Sequence, residues 1–375
     1  MSALTDPYVP DVALRLVEGV RPVHRVIAYR PTFGVELGHE LALSTGTLTI
    51  DEDAAQRFTL NASIGLGDQQ LLDFLDPRTG TRLEVWAGYE YADRTLDVHR
   101  LVDLGLRERV VRRPQNDVVL LAVSDEALVQ DHTPTAPITL PLSMTVTAAL
   151  SQLLSLGHAQ PVTVALSRGG TLLGTTLVVR PDGVWSAVHD LLDRVGGVAY
   201  HDGTSGFWAV DQPEAVGAAA YMLRTGPAGT LTSTEVALDL TSFANLVIVE
   251  FMWRDVAGVE HTERGWAEDR HGPHGTVTTG ARRGRVVTRT VPGTVPLAQA
   301  EAASILRRTL SRGRRVHVEG AVAAFWLRPE HTVTIQLPIG DAERALVTQV
   351  ALDLPTGTMS IHTRQPETVT IHTGA

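Results

Sequence analysis

The sequence predicts a mainly β protein in which two similar small β-barrels or sandwiches flank a two-helix α+β module. Three observations predict it. A strand–turn–strand–turn–strand passage occurs once in each half, over Arg82–Asp125 and again over His331–Thr363, with related wording in "YADRTLDVHRLVDLGL" and "GDAERALVTQVALDL". Between these passages the apolar period lengthens from two residues to that of a helix. Turn residues otherwise recur at the short spacing of small all-β units.

In chain order, residues 1–22 form a Pro-containing arm, expected to dock on a neighbour or on the first barrel. The first barrel covers 23–130. Its "HRVIAYRP", "LALSTGTLTID" and "QRFTLNASIGL" place apolar side chains at every second position, as one buried sheet face requires. Asp68–Pro77 interrupts them as a helical turn or ordered loop. The Arg82–Asp125 passage follows, with a turn at Gly88–Arg94 and strands over Leu96–Leu106 and Asp117–Ser124.

The α+β insert covers 131–235. Pro134, Pro137 and Pro141 mark its start, because proline breaks both helix and ladder. "TVTAALSQLLSLG" puts Val146, Ala149, Leu150, Leu153 and Leu154 on one helical face, with Thr145 as N-cap and Gly157 as terminator. "PDGVWSAVHDLLDRVGG" repeats the plan, with Asp182 as cap and Gly196–Gly197 as the stop. A strand pair joined at Gly203–Gly206 completes the insert.

The second barrel covers 236–375. Alternation returns from Ser242 in "FANLVIVEFMWRD", and a helix over about 294–311 buries Leu297, Ala303, Leu306 and Leu310, with Gly313 after it. The second passage then runs through a Gly340–Arg344 turn, a strand over Ala345–Leu354, a Pro355–Gly357 turn and a strand over Thr358–Thr363.

Composition narrows the function. Apolar content of 43% and charged content of 20% are globular values. There is no cysteine, and all 32 basic residues are arginine, so thiolate chemistry and lysine chemistry are both excluded. A net charge of −10 opposes a dedicated DNA binder and suits a conduit past which nucleic acid slides. The N-terminal residues lack a signal-peptide pattern, and no apolar run approaches a membrane span of ~20 residues.

Enzyme motifs are sparse. "GTSGF" (Gly203–Phe207) sits in a hairpin turn rather than at a nucleophile elbow, and His201, Asp202 and Ser205 lie too close together on that hairpin for a relay. In "EDRHGPHG", His271 and His274 with Glu268 and Asp269 have metal-ligand chemistry, but a Gly- and Pro-rich loop supplies no scaffold, and an exposed polar hairpin is expected. "DED" (Asp51–Asp53) departs from calcium-loop spacing and reads as a solvated turn. Neither a metal nor a cofactor is expected. Interface candidates are Arg282, Arg283, Arg285, Arg307, Arg308, Arg314 and Arg315, with Arg289 and Arg312 in the same runs, together with Trp86 and Trp326 as aromatic anchors.

Three passages carry a family resemblance: "TGTLTIDEDAAQRFTLNASIG", "VRPDGVWSAVHDLLDRVGGVAYHDGTSGFWAV" and "PLAQAEAASILRRTLSRGRRVHVEGAVAAFWLRPEHTVTIQLP". Together, from about His24 to Arg364, they resemble the hub proteins of phage tail tips and baseplates, including those of long-tailed actinobacterial phages. The resemblance implies a homotrimer whose two barrels per subunit form a ring of approximate six-fold symmetry. Such a ring fits a hexameric tail above and a three-fold fibre or spike below. Implied partners are further copies of the chain, a distal tail protein ring, the tape measure protein, a tail fibre or spike protein, and DNA in transit. The implied place is the virion tail tip, reached by assembly in the host cytoplasm. No catalytic residue is carried over, and past Arg364 the strand-like "TVTIHT" resembles no wall-degrading extension. Two rivals remain: a β-rich carbohydrate- or receptor-binding tail module, and a hydrolase built on the His201 hairpin. Aromatic content of 5% disfavours a sugar platform.

Overall fold

A computed structural model describes the chain apart from residues 1–6, 33, 159, 175, 214, 226–228, 231, 239, 241–242, 255–257, 291, 312, 337–340 and 367–368, and apart from the side chains of 35 and 36. The Ser242 start, Arg312 and the first residue of the Gly340–Arg344 turn lie outside the described residues. The fold is mainly β with helical insertions.

The first module contains α1 (Val12–Glu18), β1 (Arg21–Arg30), β2 (Gly34–Leu41), β3 (Leu43–Asp51), β4 (Phe58–Gly65), α2 (Gln69–Phe74), β5 (Arg82–Glu90), β6 (Leu96–Arg112), β7 (Asp117–Val123) and α3 (Glu126–Asp131). Alternation determines its inner face: Phe58, Leu60, Ala62 and Ile64 of β4 are buried while the residues between them are not. The arm docks on this module. Tyr8 is buried and donates its hydroxyl to Ala87 O at 2.8 Å, and Val12 and Leu16 join the same core.

The insert contains β8 (Ile138–Leu140), α4 (Val146–Leu154), β9 (Val162–Ala165), β10 (Leu177–Val179), α5 (Val184–Val195), β11 (Gly197–His201) and β12 (Phe207–Asp211). Thr145 caps α4 through Ala148 N, as its sequence position predicts. Asp182 does not cap α5; Gly183 holds that position and makes no side-chain bond. α4 and α5 bury their apolar faces in a core of their own, with Phe207 and Ala209 contributed by β12.

The remaining elements are β13 (Ala219–Arg224), β14 (Ser233–Leu238), β15 (Leu246–Arg254), β16 (Glu260–Asp269), α6 (Thr276–Thr279), β17 (Gly284–Arg289), α7 (Val295–Leu310), β18 (Arg314–Val322), β19 (Thr332–Gln336), β20 (Glu343–Asp353), β21 (Thr358–Arg364) and β22 (Ile371–Gly374). Their pairing crosses the expected 235/236 boundary. β13 and β14 join β18–β21, whereas β15, β16, β17 and β22 form a separate four-stranded sheet covered by α7. Alternation announces a strand but carries no information about which distant strand it pairs with, so pairing across segments is invisible in the pattern.

The two modules repeat one sheet order. The first runs β3-β4-β7-β6-β5-β1, with β2 added outside; the second runs β14-β18-β21-β20-β19-β13. Position for position, the doubled passage of the sequence is the meander β5-β6-β7 and its counterpart β19-β20-β21. The correspondence extends to single residues. A bulge lies between Leu106 and Glu108 in β6 and between Val347 and Gln349 in β20. Just before it, Leu106 N donates to Thr81 O at 3.0 Å, and Val347 N donates to His331 O at 2.9 Å. The turns that follow have four residues each, Arg113–Asn116 and Leu354–Gly357. Both carry proline second and a left-handed residue fourth, Asn116 at φ 55° and Gly357 at φ 65°. One difference is plain: β1 is antiparallel to β5, whereas β13 is parallel to β19.

Candidate functional site

A duplicated fold concentrates its chemistry where the copies meet. β3 of the first module adds antiparallel to β20 of the second, from Gln349↔Asp51 to Asp353↔Thr47, and makes one thirteen-stranded sheet of both. At the end of this ladder Glu52 accepts from Arg364 Nε at 3.1 Å, with side chains only 1% and 3% exposed. Arg364 also reaches Ser311 Oγ at 3.3 Å and Pro213 O at 3.2 Å, so its guanidinium fan is shared among neighbouring segments. The expected solvated turn at Asp51–Asp53 is therefore corrected at Glu52: its partner lies 312 residues away, beyond any local spacing.

Two further clusters close the seam. Tyr89, fully buried on β5, donates to Ala323 O at 2.5 Å and accepts from Phe325 N at 3.1 Å. The rings of Tyr8, Phe325 and Trp326 surround it at 5.2–6.4 Å between centroids. Below them Arg57 of the first module bonds Glu330 at 3.3 Å and Pro329 O at 3.3 Å in the second, and stacks 3.7 Å over Tyr200 of the insert. Beside it Arg328 donates to Phe325 O at 2.7 Å and to Leu327 O at 2.9 Å. Burial lowers the Arg328 pKa to about 10. Burial, and then the Arg328 and Arg57 charges, push His331 down to about 4. Sequence reading missed this seam. The available signal was Arg328 inside the apolar run "AAFWLRP", where an arginine must find carbonyl partners.

The sequence-derived interface candidates scatter. Trp326 is corrected as a surface anchor: it is 3% exposed, inside the chain, donating to Ala220 O at 3.3 Å. Trp86 is half-buried and donates to Glu84 at 2.9 Å. Arg282, Arg283 and Arg285 are exposed around β17, with Arg282 at 3.2 Å from Glu268. Arg289 instead is drawn inward and bonds Asp190 of α5 and Glu301 of α7, each at 2.7 Å, joining the insert to the helix. Arg308 reaches Asp193 at 3.3 Å, and Arg307 lies exposed one position earlier. Arg314 holds Glu343 and Gln365, each at 2.8 Å, and Arg315 is half-buried opposite Ala237. Among the described residues Arg285 and Arg308 both line a cavity of about 450 Å3 between β3, α5 and β11, and Arg307 and Arg308 line another of about 230 Å3.

The chemical candidates resolve into turn geometry. Asp202 accepts from the backbone of Thr204 at 2.8 Å and Ser205 at 2.7 Å, and bonds the Ser205 hydroxyl. His201 turns away from Ser205, accepting from Gly203 N at 3.0 Å and meeting Gln160 on its other nitrogen. The hairpin tip plugs into the first module, where Asp103 N donates to Gly203 O at 2.7 Å. His271 packs edge-on to His372 and His274 to Phe243, both at 5.8 Å. Asp269 accepts from Gly272 N at 2.8 Å, and Glu268 accepts from the Thr276 hydroxyl at 2.6 Å.

No protein-family model and no curated protein matches the chain. Solved structures do. A tail protein from Neisseria meningitidis superposes with a TM-score of 0.60 at 14% identity, over 91% of this chain and 96% of its own. The 43 kDa tail protein of a Shewanella oneidensis prophage gives 0.62 at 9% identity, over 92% and 98%. A prophage tail protein from Listeria monocytogenes gives 0.55 at 11% identity, over 91% and 94%. The likeness is one of fold, and it spans nearly the whole of each chain.

Proposed function

We propose that the chain is a structural protein of a phage tail tip: a homotrimeric baseplate hub that closes the tail tube. It adapts a six-fold tail to a three-fold tip, and it passes the tape measure protein and then DNA. The observation that carries this reading is the repeated six-strand order, because two like modules per chain let three chains present six quasi-equivalent units. Full-length likeness of fold to a tail protein and two prophage tail proteins supports it. In this reading 1–22 is an arm, the strands β1–β7 of 23–130 supply one hub module, β13, β14 and β18–β21 supply the other, and the α4–α5 insert and the sheet of β15–β17 and β22 are additions to them. Arg282, Arg283, Arg285, Arg307 and Trp86 then face neighbouring tail proteins, namely the distal ring and a fibre or spike. The net charge of −10 suits a lumen along which DNA does not stick. The chain's place is the virion tail tip, after assembly in the host cytoplasm.

The test is the native mass of the purified chain, with labelling of virions by antibody to it. A species three times the 40.4 kDa chain, and label confined to the tail tip, are expected. Label on capsids, or on no particle, overturns the reading.

A further inference from the structure

Among the described residues, the outer strand of the first module is paired by the second, while no strand pairs with the free side of the outer strand of the second. β3 and β14 occupy the same place in their modules, next to β4 and β18. Matching their ladders through β4–β7 and β18–β21 sets Leu48 against Val236 and Ile50 against Leu238. All four are apolar. Leu48 and Ile50, under β20, are 0% exposed; Val236 and Leu238 are 43% and 78% exposed. Natural sheet edges carry charges or prolines against such exposure; this one carries no proline and a single charge, Glu235, beside its two exposed apolar residues.

The acceptor has a twin as well. β20 uses Glu343–Leu346 for β19 and then Gln349–Asp353, on the same side, for β3. β6 uses Leu96–Gly105 for β5, and beyond the shared bulge its Glu108–Arg112 pairs only with β7. Among the described residues no strand lies on the other side of that stretch, where Val110 is 40% exposed.

The geometry points to a second copy of this chain as the occupant: β14 of one copy adds antiparallel to Glu108–Arg112 of the next, as β3 adds to β20 within the chain. Transferring the internal register gives the pairing. Arg112 faces Glu235 of the partner subunit, as Asp353 faces Thr47. Val111 faces Val236 of the partner subunit, as Leu352 faces Leu48. Arg109 faces Leu238 of the partner subunit, as Val350 faces Ile50. The terminal pair is of opposite charge, and both members are exposed at the surface. The backbone is turned correctly too. Val316, opposite Val236, directs its N–H and C=O to the Thr363 hydroxyl on β21, which leaves the Val236 N–H aimed out of the sheet. The contact is head-to-tail, so it propagates until it closes. It rests on the hub reading only for the number of copies at closure.

The absence of native cysteine allows a direct test. Arg112→Cys/Glu235→Cys is treated with a short bis-maleimide beside Thr47→Cys/Asp353→Cys, the internal twin. The twin should link within one chain. The first pair should link between chains and give products of two and three copies. Val236→Pro removes the outward N–H at an edge position that tolerates proline, and should lower the fraction of associated chains about tenfold or more at fixed concentration while shifting the unfolding midpoint of the single chain far less. Association without this link, and insensitive to Val236→Pro, overturns the proposed edge and leaves the hub reading standing. Chains that stay single also overturn the edge, and the hub reading is then judged by tail-tip labelling alone. A ladder that runs past three copies upholds the edge and overturns the three-fold hub.

Discussion

The two modules keep the same strand order under very different interruptions. In the first, β3 passes to β4 through six residues, Glu52–Arg57. In the second, the corresponding strands β14 and β18 are separated by three strands of the four-stranded sheet, β15–β17, and by α6 and α7. The insertion does not disturb the ladder between them, which holds register from Ser233↔Glu319 to Leu238↔Arg314. Loop-closure entropy explains the tolerance, because each doubling of a connection costs only ~0.6 kcal/mol. A sheet edge can therefore accept a domain where a core position cannot accept a methylene.

The largest expected effect comes from the seam that makes the modules one body. Arg364→Met removes the arginine that pairs with Glu52, whose side chain is 1% exposed. Breaking such a pair costs about 3–5 kcal/mol, whereas Glu52→Gln/Arg364→Met, which removes both charges, should recover most of the loss. Urea unfolding of the two variants reads both values. A loss below about 1 kcal/mol for Arg364→Met would mean that the β3–β20 ladder holds the modules without this pair.

The next contrast is one of titration. His331 and Thr81 hold matching positions, each accepting a bond from the residue before the bulge. Thr81 cannot titrate, and it satisfies its hydroxyl on Phe74 O at 2.8 Å. The His331 pKa is pushed down to about 4 from an ordinary 6.5. The unfolded chain therefore takes up this proton more readily between those values. Stability from this site is complete above about pH 6.5 and is lost as pH falls toward 4. The full loss is about 3 kcal/mol. His331→Thr should flatten that acid limb in thermal melts run from pH 7 to 4. An unchanged slope would place the acid sensitivity at other groups.

How much of this was legible in sequence follows from range. The doubled meander was, because its signals are local, alternation and the turns between strands, whereas the shared bulge and the left-handed Asn116 appear only in the structure. The α4 cap at Thr145 was legible for the same reason. Asp182 misled because it stands one residue too early, with Gly183 already at the helix boundary. The grouping of β13 and β14 with β18–β21 was not legible, since an alternating strand is compatible with any partner of the right length. Glu52 and Trp326 read as surface features because their partners are fixed only by tertiary contact.

The smallest effect sharpens the comparison at the twin turns, where the left-handed fourth residue is shared, although Arg113–Pro114 is cis and Leu354–Pro355 is not, and where the surroundings differ. Asn116 and Gly357 both sit in the left-handed region, which either residue type adopts. Asn116→Gly therefore changes only unfolded-chain freedom, with an expected cost within about 1 kcal/mol. Gly357 has no such latitude, because a Cβ built there would lie 2.0 Å from Pro22 Cγ of the strand that follows the arm. Gly357→Asn, which copies the first turn into the second, must push that strand aside and should cost about 1–3 kcal/mol despite a permitted φ. Chemical denaturation of the two reciprocal variants measures the asymmetry. Equal costs would show that the turn, and not the packing of Pro22 on it, sets the choice of residue.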